Sequence, residues 1–156
     1  MKASEFILYL QNNLKDYPID YLKKKANDDR YHDSITKRLA IYNSSIYDEI
    51  FEKEFDEDYE INDALIKRIE DDVNYYFSVY DPYDDENRDF TRNICLYLAL
   101  VAKKPFHPFG DNPNKDTIYC LNGEYFCKDK IKFINDENSL CKLCVCKKAG
   151  LTFGFF

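Results

Sequence analysis

In DSITKRLAIYNSSIYDEIFEKEF, the residues Ile35, Leu39, Tyr42, Ile46 and Ile50 recur at spacings of four, three, four and four. Only a helix gathers that spacing on one side, so this segment must lay an apolar stripe against a partner. Asp33 or Ser34 is placed to cap its N-terminus. Upstream, Phe6, Leu10 and Leu14 in ASEFILYLQNNLKDY recur every four residues, with Ser4 placed to cap and Pro18 to stop the run. PIDYLKKKAN then begins with Pro18 at a first helical position. Downstream, INDALIKRIEDDVNYYFSVY carries Leu65, Ile66, Ile69, Val73, Tyr76 and Phe77 at helical spacing, and DPYDDEN reads as a turn.

A fifth helix, DFTRNICLYLALVAKK, is apolar on more than one side and reads as the central helix that the others pack around. Cys95 within it reads as a small core residue. With four Gly, five Pro and 45% apolar residues in 156, the chain has the material for one real core and too few turn formers for a turn-dense β fold. The expected fold is mainly α: a bundle of about five helices over residues 1–104. A small β-hairpin and loop region over residues 105–156 is expected to be clamped to it by a metal within one compact domain.

After Lys104 the pattern changes. KPFHPFGDNPNKD holds three prolines and a glycine and reads as an irregular loop. TIYCLNGEYFCK places Asn122-Gly123 between two β-prone arms, a strong hairpin signal. Two-residue pairing sets Leu121 opposite Glu124, Cys120 opposite Tyr125 and Ile118 opposite Cys127. Cys120 and Cys127 then share a face diagonally.

The apolar run at the N-terminus, Phe6 to Leu10, is too short for a secretory signal, and no run approaches a membrane span. The reading places the protein in the cytoplasm, where thiols stay reduced and six cysteines point to metal binding or reactivity before disulfides. Five of the six lie between residues 120 and 146, and His107 stands just ahead of them. Cys141 and Cys144 form a Cys-x-x-Cys pair, the spacing that lets one tight turn aim two sulfurs at one cation. A tetrahedral zinc needs two further donors. Cys127, at the hairpin's end, and the loop imidazole of His107 complete the set, with Cys120 as the rival fourth ligand.

An iron–sulfur cluster on Cys127, Cys141, Cys144 and either Cys120 or Cys146 ranks behind zinc because a histidine lies ready. A thioredoxin-like pair is disfavoured because no strand-to-helix context surrounds it. His32, remote in sequence from the cysteines, reads as ordinary.

The runs KKPFHPFG, NGEYFC and SLCKLCVCKK resemble the C-terminal signature of an uncharacterised protein family found mainly in methanogenic archaea. That signature is a His-Pro, a Tyr-Tyr-Cys and a closing Cys-x-x-Cys after a helical N-terminal region. The resemblance implies His107, Cys127, Cys141 and Cys144 as shared positions. The chain departs from the pattern at Asp111 and Asn112, where glycine-rich residues usually follow the His-Pro. It departs again at Lys128, where a proline usually follows the hairpin cysteine. The family has no assigned activity, so the resemblance implies a site and no reaction.

No phosphate-binding glycine loop, nucleophile elbow or His-Glu-x-x-His motif occurs in the chain. Residues 1–102 hold 13 Lys and Arg against 23 Asp and Glu, and residues 103–156 hold 9 against 6, so the net charge of −7 resides in the helical body. Such a body repels nucleic acid. Three thiolates and an imidazole suit a closed, structural zinc, and the expected role is a binding or assembly module with a protein partner. A metal-dependent enzyme with an open zinc position and an acidic residue as acid or base is the alternative. Tyr125 and Phe126 read as packing residues, while LTFGFF is an apolar ending that either docks, adds a strand or associates.

Overall fold

The computed structural model describes residues 1–31 and 34–149. His32 and the LTFGFF ending lie outside the described residues. Five helices build the body: α1 (Ala3–Leu14), α2 (Ile19–Ala26), α3 (Ile35–Glu52), α4 (Asp63–Tyr80) and α5 (Asp85–Tyr97), the last continuing as a π-helical turn over Leu98–Ala102. The remainder carries a hairpin of β1 (Ile118–Leu121) and β2 (Glu124–Cys127), a four-residue α6 (Lys130–Phe133), a 3-10 turn over Cys141–Leu143, and β3 (Lys147–Lys148).

The central helix is α5, as its sequence implies. Phe90 and the unbroken run from Asn93 to Leu100 are buried, which no one-sided helix shows. Cys95 is 5% exposed, and burial among apolar neighbours pushes its thiol up to about 12, so it behaves as a core residue. The helix begins earlier than the sequence reading placed it. Asp84 accepts a hydrogen bond from the Asn87 N–H and caps the first turn, which takes Asp85 to Asn87 out of the presumed turn and into the helix.

The α3 cap is the expected Ser34, while the α1 cap and the first residue of the α3 stripe differ. Ser4 does not cap α1: the helix starts at Ala3, and Ser4 lies inside the first turn, where its N–H and hydroxyl both donate to the Asp58 carboxylate. Asp58, from the α3–α4 connection, therefore satisfies an amide at the start of α1 that no local side chain reaches. Ser34 caps α3, accepting from the Lys37 N–H. In α3 the buried face runs through Ala40, Ser44, Ile46 and Ile50, while Ile35 is 78% exposed. Ile46 and Ile50 of the expected stripe are buried and Tyr42 packs against the core, joined by the small residues Ala40 and Ser44, so only the first residue of the stripe departs. In α4, Ile66, Ile69, Val73 and Phe77 are buried as expected, and Leu65 is exposed.

The loop leaving α5 is fastened to the body. Lys103 adopts a left-handed conformation (φ 54°) that closes the π-helical turn, and Lys104 donates from its backbone to the Leu98 carbonyl and from Nζ to Glu49 Oε1 at 2.8 Å. The buried Tyr97 hydroxyl donates to the other Glu49 oxygen at 2.6 Å. Burial pushes the Glu49 carboxyl up, but the hydrogen bonds from Lys104 and Tyr97 together outweigh it, and the net pKa lies below the ordinary 4.5. A lowered folded pKa means stability that is present above pH 4.5 and lost as pH falls through the folded value. Glu49→Gln is expected to cost about 1 kcal/mol or less at neutral pH, because solvent screens a side chain this exposed. Urea titrations at pH 7 and pH 3.5 check this, with the gap between variant and parent narrowing at the lower pH.

The hairpin register is the one its Asn-Gly turn specifies: Ile118 pairs Cys127, Cys120 pairs Tyr125 and Leu121 pairs Glu124. Asn122 (φ 53°) and Gly123 (φ 79°) take the two left-handed positions of a type I′ turn. The parallel strand β3, which pairs with β2 through Phe126 and Lys147, carries no local sequence signal. Upstream of the hairpin, Gly110 bridges Tyr119, and the Asp116 carboxylate lies where a Cβ on Gly110 would stand.

Candidate functional site

The four predicted donors come from three places in the chain. His107 stands in the loop after α5. Cys127 closes β2, Cys141 opens the 3-10 turn and Cys144 ends it. All four line one cavity of about 370 Å³ at the seam between the C-terminal segment and the body, walled on the body side by Leu39, Phe77, Ile94 and Leu98. Tyr42 of α3 donates its hydroxyl to the Pro105 carbonyl, and Phe106 packs on the core, which fixes the start of the loop carrying His107.

Sharing a cavity is not the same as converging on a point. Among the described residues, no three His, Cys, Asp or Glu side chains stand as a group that could hold a metal ion. All six cysteines are free thiols. Cys120 is not among the residues lining the cavity. It occupies the face of the hairpin that Cys127 does, but two pairs nearer the turn.

Cys146, which the sequence left without a role, is buried and lines the same cavity. Its thiol donates to the Cys144 sulfur, which keeps the Cys146 proton in place and pushes its pKa far up. The same hydrogen bond is the main cause holding the Cys144 thiol down at about 6. Burial opposes this, while the Cys146 and Phe106 backbone N–H groups, the latter 3.5 Å from the Cys144 sulfur, reinforce it. The signal for Cys146 was in the sequence: Cys144 is extended (ψ 143°), and in extended chain residues i and i+2 face the same way.

At Cys127, burial dominates and pushes the thiol up, although the Asp129 and Lys130 backbone N–H groups both donate to its sulfur. His107 is an exposed residue, yet the loss of solvent around its ring lowers its pKa and favours the neutral imidazole that a cation requires. Lys130 is 7% exposed and donates from Nζ to the carbonyls of Cys144 and Cys146, at 2.7 and 2.6 Å. Its buried ammonium thus holds the Cys144-Val145-Cys146 backbone in place and adds a positive charge beside two sulfurs. Nothing in the spacing of Lys130 marked it out among nine C-terminal lysines.

Tyr125 packs edge-on against Phe109, and Phe126 stacks on the buried Tyr119. No described helix is long and apolar enough to cross a membrane.

Residues 6–149 match the family described as uncharacterized protein conserved in archaea (DUF2115). A UPF0305 protein of Methanocaldococcus jannaschii is 29% identical over 159 aligned positions, which cover 94% of this chain and 96% of the relative. A UPF0305 protein of Methanococcus maripaludis is 27% identical over 141 positions, covering 90% of this chain and 81% of the relative. One from Methanothermobacter thermautotrophicus is 34% identical over 55 positions, about a third of either chain. No solved structure matches the chain.

Proposed function

We propose, for a chain that belongs to the family of uncharacterized proteins conserved in archaea, that it is a zinc-binding protein in which the ion fastens residues 105–156 to the helical body. The observation that carries this reading is that His107, Cys127, Cys141 and Cys144, drawn from three separate segments, line one cavity at that seam. The donor set fits zinc, since three sulfurs and an imidazole suit a borderline-soft ion that tolerates any four donors at tetrahedral angles. Backbone N–H groups already aimed at the Cys144 sulfur favour the thiolate form that a metal needs.

The four donors do not stand as a preformed cage, so binding draws them together and is coupled to the ordering of the segment, as in small zinc domains. A closed set of this kind leaves no position for substrate, which makes the metal structural and the protein a binding or assembly module. His107 and Cys127 fix the loop and the hairpin, Cys141 and Cys144 fix the turn, and Lys130 offsets thiolate charge beside them.

A second reading has one observation in its favour. Cys146 lines the cavity with Cys127, Cys141 and Cys144, which brings four sulfurs to one place and suits an iron–sulfur cluster. Metal analysis of protein purified without oxygen separates the two. The zinc reading expects one zinc per chain, lost in His107→Ala and kept in Cys120→Ala and Cys146→Ala. Brown protein containing iron, with metal lost in Cys146→Ala and kept in His107→Ala, would replace it with the cluster. Retention of no metal after loading and desalting would overturn both.

A further inference from the structure

A second cavity, of about 450 Å³, shares His107, Cys127 and Cys141 with the first. Its volume lies in the range of small-molecule sites. The composition of its wall is uneven. Ile35, Leu39, Ile118 and Phe133 supply apolar surface, and Arg38 and Lys115 supply two cationic side chains from two separate elements, the start of α3 and the loop before β1.

Neither Arg38 nor Lys115 has an ion-pair partner among the described residues, whereas Lys37, Lys104 and Lys132 each have one. Two carboxylates line the same cavity, but both are engaged. Asp116 accepts the Asn112 N–H at 3.0 Å and lies against Gly110, while Asp129 pairs with Lys132 at 3.3 Å. The cavity therefore holds two cations without an ion-pair partner, one carboxylate bonded to a backbone N–H and one paired with Lys132.

Two of these wall residues stand where folding alone disfavours them. Arg38 lies close to the positive end of the α3 dipole, where a cation is unfavourable. Ile35 leads the apolar stripe of α3 yet is 78% exposed, on the rim of this cavity and away from the core. A bulky apolar residue and a cation left in such positions beside a cavity mark a surface shaped for something other than stability.

We propose that this cavity binds a small organic anion, a carboxylate or phosphate on a short apolar stem, with its charged head between Arg38 and Lys115 and its stem against Ile35, Leu39 and Phe133. Arg38 offers a forked donor for the head, and Lys115 a mobile point charge. The site adjoins the proposed zinc donors, since His107, Cys127 and Cys141 line both cavities, but neither cation nor the apolar wall belongs to the donor set.

Isothermal titration of the full chain with octanoate and with hexyl phosphate tests this, with octanol as the neutral control and each titration repeated on chelator-treated and zinc-loaded protein. The expected result is saturable one-to-one binding of at least one of the two anions and none of octanol. Affinity should fall at least tenfold in each of Arg38→Gln and Lys115→Gln, and by a similar factor in Ile35→Glu. Whichever anion binds more tightly identifies the head group. All three positions are exposed, so the variants should keep the parent's circular dichroism and melting temperature. The absence of saturable binding by either anion overturns the proposal. So does binding that survives the double substitution Arg38→Gln, Lys115→Gln, or binding that requires zinc and ignores both cations, which would place the anion on the metal.

Discussion

Replacing Cys141 and Cys144 together with serine is expected to abolish zinc retention and to strip amide protection from β1, β2 and β3, while the helices of the body keep theirs. Serine hydroxyls do not ionise at neutral pH and are hard donors, so the pair removes two of four ligands without adding bulk. Structural zinc in small domains supplies about 10–16 kcal/mol of apparent binding energy, far more than the apolar contacts of a segment whose buried apolar residues, among those described, are Pro105, Tyr119, Cys146 and Ala149. Hydrogen exchange read by mass spectrometry, on the parent with and without chelator and on the variant, makes the comparison. Chelated parent and variant should match. A variant that keeps both its zinc and its strand protection would contradict the clasp, and loss of protection across α1, α4 and α5 as well would show that the segment and body are one cooperative unit.

Phe6→Ala is expected to be the most damaging single change in the body, costing about 3–5 kcal/mol. Phe6, Leu10 and Leu14 are 0%, 0% and 1% exposed and lie one helical turn apart, so α1 enters the core along its whole length. Truncating the ring leaves a cavity that α1 cannot close by moving, because both of its ends are tied. Its start is held by the Ala3 N–H to the Tyr59 carbonyl and by Asp58, and its far end by Asn13, whose amide donates to the buried Asn93. Urea unfolding should show a lower midpoint at unchanged slope. A loss below about 1 kcal/mol would mean that the bundle relaxes around the site and that α1 is less constrained than its contacts imply.

How much of this was legible in sequence depended on how local the cause was. The hairpin register followed from two residues, Asn122 and Gly123, because a type I′ turn dictates the pairing of its arms whatever else surrounds it. The burial of α5 on all sides followed from an apolar run too broad for one face. Ser4 and Ile35 misled for a common reason. Each had the right chemistry at the right spacing, but its place in the fold decided its role: Ser4 donates to the remote Asp58, and Ile35, in the first turn of α3, stays 78% exposed. The start of α5 was missed because Asp84 sits in an acidic cluster where a cap and a turn look alike.

The chain by itself determined its helices, its hairpin and the list of metal-seeking side chains, since each rests on a period of two or 3.6, on backbone stereochemistry or on the chemistry of a single residue type. Only the tertiary structure decided which of those side chains meet. It drew His107, Cys127, Cys141 and Cys144 to one seam, added Cys146 and the buried Lys130, left Cys120 outside, and set Arg38 and Lys115 on the wall of a second cavity. The physical reason is that proximity between residues remote in the chain depends on how whole faces pack. Packing follows the summed burial of the α1, α4 and α5 core, not the local spacing of any one cysteine.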